Sequence, residues 1–318
     1  MNSSLPARMK AARVNRFGAP GVISLEEIAI PAPGENQVLV EVKAAGVGPW
    51  DGWIRSGKSA LPQPLPLTLG SDLSGIVAAI GSGVSGFQAG EQVFGVTNPR
   101  FTDAYADYAI ASAAMIARKP AALDDVEAAS VPVIAVTAWQ ALFEQAHLKA
   151  GESVLIHGAA GNVGAFAVQM AHQAGLHVLA TAGADDLETV RGLGADVVVD
   201  FRNERFEDVT GDLDAVIDLV GGETQTRSFA VLKRGGSLVS AVSQPDQALA
   251  ARHGVTAGFF LVEVTTQRLD EIAGLITAGK LKTNVGLVLP LAEARIAHEM
   301  LEGTRPRPHG KIVLRVSA

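Results

Sequence analysis

Along the first third of the chain, apolar residues recur at every second position. Over residues 37–45 the alternation is strict, with Val38, Val40, Val42 and Ala44 on one face, which predicts a half-buried strand. Short apolar runs at 74–80 and 92–96 are set off by Gly-Ser-Gly and Gln-Ala-Gly turn signals, and a Pro-rich loop spans 61–67. Strands this short and this closely spaced predict a compact antiparallel, barrel-like domain.

Near Asp124 the pattern changes. Residues 135–147 read as a helix, and from Ser153 onward strand and helix patterns alternate. The strand candidates are 153–157, 177–181, 196–199, 215–219, 237–241 and 256–261. Six strands joined by crossovers predict a doubly wound parallel sheet, so the fold class is α/β. A helix at 266–278 carries Leu269, Ile272, Ala273 and Ile276 at helical spacing, and the chain ends in a strand at 311–316. That tail reads as returning to the first domain. The expected division is 1–125 with 265–318, and 126–264.

Composition narrows the function. The 318 residues are 48% hydrophobic and 19% charged, which is globular rather than disordered, and the net charge of −7 offers no positive field for nucleic acid or anionic lipid. The basic residues Arg305, Arg307, His309 and Lys311 lie in a Pro-rich turn of an acidic protein and read as a solvated loop. The chain contains no cysteine, so disulfides, thiolate nucleophiles and sulfur ligands for zinc are excluded. No apolar run approaches the roughly 18 residues of a membrane span, and residues 1–10 carry no signal-peptide core, so the expected compartment is the cytoplasm, away from any membrane. Residues 1–8 read as an extension before Met9-Lys10.

The sharpest local signal is Val154-Leu155-Ile156-His157-Gly158-Ala159-Ala160-Gly161-Asn162-Val163-Gly164. An apolar strand ends at a Gly-x-x-Gly-x-x-Gly turn, and a helix follows with Val163, Phe166, Ala167, Met170 and Ala174 on its inner face. The glycines allow a tight turn, close approach of backbone to a pyrophosphate and close packing of helix on strand. The helix N-terminus presents N–H groups to the same anion. The turn therefore predicts a dinucleotide site made by Gly158, Ala160, Gly161, Asn162, Val163 and Gly164. At the end of the next strand, through Thr181 and Gly183, no carboxylate stands to hold a ribose, and Asp185 and Asp186 suit the start of a helix. NADPH is thus favoured over NADH. Arg191 is the nearest basic residue in sequence, as a phosphate ligand or as a solvated helix residue. His157 suits a structural role.

Ordered motifs now extend over nearly the whole chain. They are Ala44-Ala45-Gly46-Val47-Gly48-Pro49-Trp50-Asp51, Ile54-Arg55-Ser56-Gly57, Leu69-Gly70-Ser71-Asp72-Leu73-Ser74-Gly75, Gly90-Glu91-Gln92-Val93, the glycine turn and Gly310-Lys311-Ile312-Val313-Leu314. With these the chain resembles the medium-chain dehydrogenase/reductase superfamily, in its zinc-independent quinone oxidoreductase branch. The resemblance implies a GroES-like β-barrel catalytic domain, a Rossmann domain and an active site in the cleft between them. Zinc-dependent relatives carry Cys where Gly48 stands and Gly-His-Glu where Gly70-Ser71-Asp72 stands, so no zinc is expected. Quinone reductases commonly have Asn at the place of Gly48, and an aromatic at that of Trp53. The resemblance also places Thr137, Thr181, Gly183, Val220, Val242, Ser243, Phe260, Leu261 and Val262 on the cofactor, the last two regions over the nicotinamide. Asp51 and Lys311 fall near the cleft, either orienting loops and water or acting in acid–base work.

Without a metal, the acceptors expected are those that take hydride readily, namely quinones and α,β-unsaturated carbonyls. Trp50 and Trp53 can form an apolar wall for a flat substrate or fill the core. Tyr105 and Tyr108 lie in 104–109, a segment that matches a structural strand of the family, and a proton would come from solvent or a hydroxyl such as Ser71. The expectation is a small-molecule NADPH-dependent quinone or enone reductase. The alternatives are a 2-alkenal or enoyl-thioester reductase and a non-catalytic NADPH-binding redox sensor. A homodimer through the edge near 256–261 is a further expectation.

Overall fold

Residues 5–316 are described by a computed structural model; residues 1–4 of the expected extension lie outside the described residues. The early strands are β1 (Arg8–Val14), β2 (Ile23–Ala29), β3 (Gln37–Val47), β4 (Leu67–Thr68), β5 (Asp72–Ile80), β6 (Gln92–Val96), β7 (Tyr108–Ser112) and β8 (Ile116–Arg118). Then come β9 (Ser153–Ile156), β10 (His177–Ala182), β11 (Val197–Asp200), β12 (Leu213–Asp218), β13 (Leu232–Ser240) and β14 (Thr256–Phe259). The last two are β15 (Val285–Pro290) and β16 (Lys311–Arg315).

The chain divides into two compact units. The first joins the described part of Met1–Val133 to Val264–Thr277 and the stretch from Thr283, and the second holds Ile134–Glu263 with Ala278–Lys282. Residues 126–133 thus lie with the first unit, because Val126 and Ala129 pack on Ala44 and Val313. Residues 278–282 lie with the second, where the Gln169 side chain binds both the amide (2.8 Å) and the carbonyl (3.2 Å) of Lys282.

In the first unit, the strictly alternating segment is the organising strand. β3 pairs antiparallel with β5, β7 and β16, and Val38, Val40, Val42 and Ala44 are fully buried. Leu39 on its other face is buried as well, and past Val42 the register shifts, so Ala45 joins Val38, Val40 and Val42 in one core while Ala44 packs with Ala129 and Val313; the strand is covered on both sides rather than half-buried. The sheet runs β15-β16-β3-β5-β6-β8, beside a smaller sheet β2-β1-β4. One pair departs from the antiparallel expectation: β15 and β16 are parallel. The expected strand at 104–109 also differs, because β7 begins only at Tyr108. Asp103 takes a left-handed φ of 87°, and Tyr105 is held instead by its backbone bonds to Leu69 and Ala12.

In the second unit all six expected strands form and all pair in parallel, in the order β11-β10-β9-β12-β13-β14. In order of appearance this is 3-2-1-4-5-6, which reverses at β9 and puts the crevice for a dinucleotide there. The helix Asn162–Gln173 is more enclosed than the one-sided pattern predicts, since Ala165, Val168 and Gln169 are buried along with Phe166, Ala167 and Met170. The expected helix at 135–147 also differs. An α-helix runs Pro132–Trp139 and continues as a π-helix over Gln140–Gln145. The apolar periodicity does not report that change. Among the described residues, no helix is long and apolar enough to cross a membrane.

Candidate active site

Two groups of side chains carry chemistry, one in each unit. In the first unit the helix Pro49–Ser56 starts where β3 ends, with Asp51 bonding back to the Gly48 amide at 2.8 Å. Asp51 Oδ2 accepts a second bond from the Tyr105 hydroxyl at 3.0 Å, while Oδ1 has no hydrogen-bond partner among the described residues. Lys311, on β16, donates to Asp72 Oδ2 on β5 at 3.1 Å, and Asp72 Oδ1 accepts from the Val133 amide at 3.0 Å. The Lys311 ammonium also lies 4.6 Å from the centre of the Trp50 ring, and the Trp50 indole N–H donates to Ser71 Oγ at 3.0 Å. Asp51, Ser71, Asp72, Tyr105 and Lys311 are all buried.

Two buried carboxyls thus share one ammonium. Burial pushes the Asp51 carboxyl up to about 7, with nearby Asp72 adding to the rise and the Gly48 amide, Lys311 and Tyr105 opposing it. Near neutral pH the group is poised between a neutral cluster, with Asp51 protonated, and one of net charge −1. Because Oδ2 already accepts two bonds, the proton belongs on Oδ1. Burial likewise raises the Asp72 carboxyl, against the pull of Lys311 and the Val133 amide.

This arrangement places the expected residues unevenly. Asp51, Ser71, Lys311, Gly48 and Trp50 come together, whereas Trp53 points to solvent, 58% exposed. Trp50 fills the space beside Gly48: a Cβ there would lie 2.2 Å from its ring, so Asn at this place requires the indole to move. A catalytic zinc does not fit these residues, since position 48 has no side chain, Ser71 Oγ is bonded to Trp50 and Asp72 is paired with Lys311. Among the described residues no three His, Cys, Asp or Glu side chains gather as a metal site. Tyr108 packs beside Met9, Ala11 and Ala106. Sequence places Tyr105 in a structural strand and Asp72 in a family motif, without pairing either with the site; their partners stand 54 and 239 residues away, and no local pattern announces such contacts.

In the second unit the glycine turn follows β9. Gly158 has φ 68°, and a Cβ on Gly164 would stand 2.3 Å from the Gly158 carbonyl oxygen, so both positions require glycine. Among the described residues, no side chain caps the helix that Gly161 opens, which leaves its first amides to a ligand. His157 is structural: Ser228 Oγ donates to the Thr224 carbonyl and so accepts from Nε2 at 3.0 Å, while Thr181 Oγ1 donates to Nδ1 at 3.1 Å. Burial lowers this imidazole to about 4. The Thr181 hydroxyl thereby braces the turn, also accepting from the Gly158 amide at 3.4 Å.

Asp218, which sequence reading passed over, organises the loops beyond β12 and β13. Its carboxylate is fully buried and accepts from the amides of Val220 (3.0 Å) and Gly221 (2.8 Å), from Gln225 (2.9 Å) and from Ser240 Oγ (2.8 Å). Ser240 Oγ in turn accepts from the amides of Val242 (3.1 Å) and Ser243 (3.2 Å). Val220 and Val242 are left about half exposed at the carboxyl ends of their strands. Thr137 lies on the helix Pro132–Trp139, buried at 8% exposure. At the end of β10, a Cβ on Gly183 would lie 3.7 Å from the Phe201 ring and 4.0 Å from Asp186 Oδ2. Phe201 is 58% exposed with the Arg202 guanidinium 5.7 Å from its centre, while Arg191 is exposed and paired with Glu188.

Comparison with known proteins gives a consistent relationship. The alcohol dehydrogenase GroES-like domain family matches residues 34–121, and the zinc-binding dehydrogenase family matches 193–314. The quinone oxidoreductase of Sus scrofa is 36% identical over 323 residues, covering 96% of this chain and 97% of that protein. The chain belongs to the medium-chain dehydrogenase/reductase superfamily, in its quinone oxidoreductase-like branch. The chloroplastic NADPH-dependent alkenal/one oxidoreductase of Arabidopsis thaliana is 32% identical, covering 98% of this chain and 81% of that protein. The solved structure of the quinone oxidoreductase from Coxiella burnetii superposes with a TM-score of 0.89 at 34% identity, covering 98% of this chain and all of that one.

The charge state of Asp51 makes a stability prediction. Its carboxyl is raised on folding from 3.8 to about 7, so protonation favours the folded state. That stabilisation is complete below the lower value and is lost as pH rises through the upper one. Asp51→Asn, which never ionises, is expected to gain on the parent between about pH 4 and about pH 8, by on the order of 2–4 kcal/mol. Urea unfolding at both pH values measures this; a difference that does not change with pH contradicts it.

Proposed function

We propose that the chain is a zinc-free NADPH-dependent oxidoreductase that reduces quinones or α,β-unsaturated carbonyl compounds. The observation that carries this reading is the glycine turn at the reversal of a six-stranded parallel sheet, where Gly164 packs against the Gly158 carbonyl with no room for a Cβ. The names of the relatives, quinone oxidoreductase and NADPH-dependent alkenal/one oxidoreductase, support the acceptor class.

The residues fit a nicotinamide dinucleotide. Gly158, Ala160, Gly161, Asn162, Val163 and Gly164 would take the pyrophosphate on backbone amides. Thr181 supports that turn, and Gly183 leaves space for the adenosine ribose at the end of β10. Phe201 and Arg202 flank that space, one offering a flat face and the other a cation to a 2′-phosphate; Asp186 on the same side suits a free ribose hydroxyl and works against it. Thr137, Val220, Val242, Ser243, Phe260, Leu261 and Val262 would line the nicotinamide half, on the side of β12 to β14. Once bound, the reduced nicotinamide supplies a hydride equivalent.

Reduction of a quinone or enone places negative charge on the acceptor oxygen before a proton arrives. Asp51, Asp72 and Lys311 set the local field: with the proton on Asp51 Oδ1 the three are together neutral, and without it they oppose that charge. Asp51 and Ser71 are fully buried, so they act on the site through Gly48 and Trp50 rather than by touching the acceptor. Trp50, held by Ser71 and Lys311, and the exposed Trp53 offer apolar faces to a flat substrate.

Among the described residues the edge strand β14 pairs only with β13, and Phe259 at its end is 37% exposed. A homodimer across that edge would satisfy its open backbone groups.

Three outcomes test these readings. NADPH oxidation against a panel of quinones, enones and enoyl thioesters should proceed with a preference for NADPH over NADH and be indifferent to a chelator. Binding without turnover on any acceptor would favour a redox sensor, and faster turnover of alkenals or enoyl thioesters would move the substrate class. Arg202→Ala should raise KM for NADPH about tenfold and leave that for NADH within about twofold, in line with loss of one charged hydrogen bond; equal changes would remove Arg202 from the phosphate site. Sedimentation at micromolar concentration should give a dimer, and a monomer would refute the edge pairing.

A further inference from the structure

The segment 260–263 leaves the carboxyl end of β14 with no regular structure, and Leu261 in it is 66% exposed. Its start is tied to the sheet by the Phe260 amide, which donates to the Ser240 carbonyl at 3.2 Å. Its far end is tied across 123 residues of sequence: the Glu263 amide donates to Gln140 Oε1 at 2.9 Å. Gln140 is only 4% exposed, and its Nε2 points to Glu144 Oε2 at 3.4 Å, so its carbonyl is the end turned to the segment.

Gln140 is the first residue of the π-helix Gln140–Gln145, in which the Ala146 amide bonds to the Ala141 carbonyl five residues back. Such turns are rare and appear mostly as single-turn insertions within α-helices, frequently at functional sites. An α-helix continued through this stretch would carry one residue fewer per insertion and rotate the following side chains relative to Gln140. The wide turn lets Gln140 keep its bond to Glu263 while Glu144 stays alongside its Nε2 and Phe143 stacks edge-on against Trp139, ring centres 4.8 Å apart.

We infer that Gln140 is a positioning residue for hydride transfer, a latch that fixes segment 260–263 against the nicotinamide. This rests on the proposed function, in which Phe260, Leu261 and Val262 line that ring. The loops beyond β12 and β13 are held by Asp218 and Ser240; Gln140 performs the same task for the loop beyond β14. Hydride transfer is sensitive to small displacements of the reacting groups, so a loosened segment lowers turnover more than it lowers dinucleotide binding.

The test compares the full-length protein with Gln140→Met, which keeps the length of the side chain and removes the acceptor. Hydrogen exchange at the Glu263 amide of the free protein should quicken by about tenfold or more. With NADPH and a quinone, kcat should fall about tenfold while Kd for NADPH stays within about threefold. Combining Gln140→Met with Leu261→Ala should give less than the product of the two separate losses, because both act through one segment. Unchanged exchange at Glu263, a loss carried by Kd rather than kcat, fully multiplicative effects, or a variant that no longer unfolds cooperatively would each overturn the latch. Turnover of the unaltered protein reads the proposed function separately, and the exchange measurement needs no turnover, so the two failures are distinguishable.

Discussion

The first unit depends on the buried ion pair between Lys311 and Asp72. It fastens β16, at the far end of the chain, to β5 near its beginning, with side-chain exposures of 1% and 0%. Removing two charges from water is expensive, and the attraction between them repays that only when the remaining polar atoms are bonded. Here the second Asp72 oxygen takes the Val133 amide and the ammonium faces the Trp50 ring. Taking away one partner would strand the other in a dry interior, a change on the order of 3–5 kcal/mol. The pair also fixes the indole, which in turn occupies the place beside Gly48, so the electrostatics of the site and its shape have one origin.

A comparable economy holds in the second unit, where carboxylate and hydroxyl oxygens hold irregular backbone in place. A parallel sheet presents its carboxyl ends as a row of loops, each with amides that need partners. Asp218 and Ser240 satisfy four such amides in the loops after β12 and β13, and these are the loops that carry Val220, Val242 and Ser243. His157 and Thr181 brace the glycine turn in the same manner, the imidazole neutral because burial holds it near 4. None of these groups needs to touch a ligand to matter. They determine where the backbone that would touch it stands.

The sequence by itself determined the central strand β3, the six strands β9 to β14 and the glycine turn, because each rests on local regularities: alternation in β3, runs of apolar residues in β9 to β14, and glycines at positions whose backbone admits no side chain. Its ordered motifs also carried the family and the absence of zinc ligands at Gly48 and Ser71. Only the tertiary structure decided which groups pair with which. Asp72 and Lys311, Tyr105 and Asp51, and Gln140 and Glu263 meet across 239, 54 and 123 residues, and neither periodicity nor spacing encodes such meetings. It also decided that Trp53 faces solvent while Trp50 is partly buried and bonded to Ser71, two residues alike in type and three apart on one helix. The reason is physical: local pattern follows from the backbone of a few neighbours, whereas the pKa of a carboxyl and the partner of an ammonium depend on what the whole fold brings within a few ångströms and how much water it leaves there.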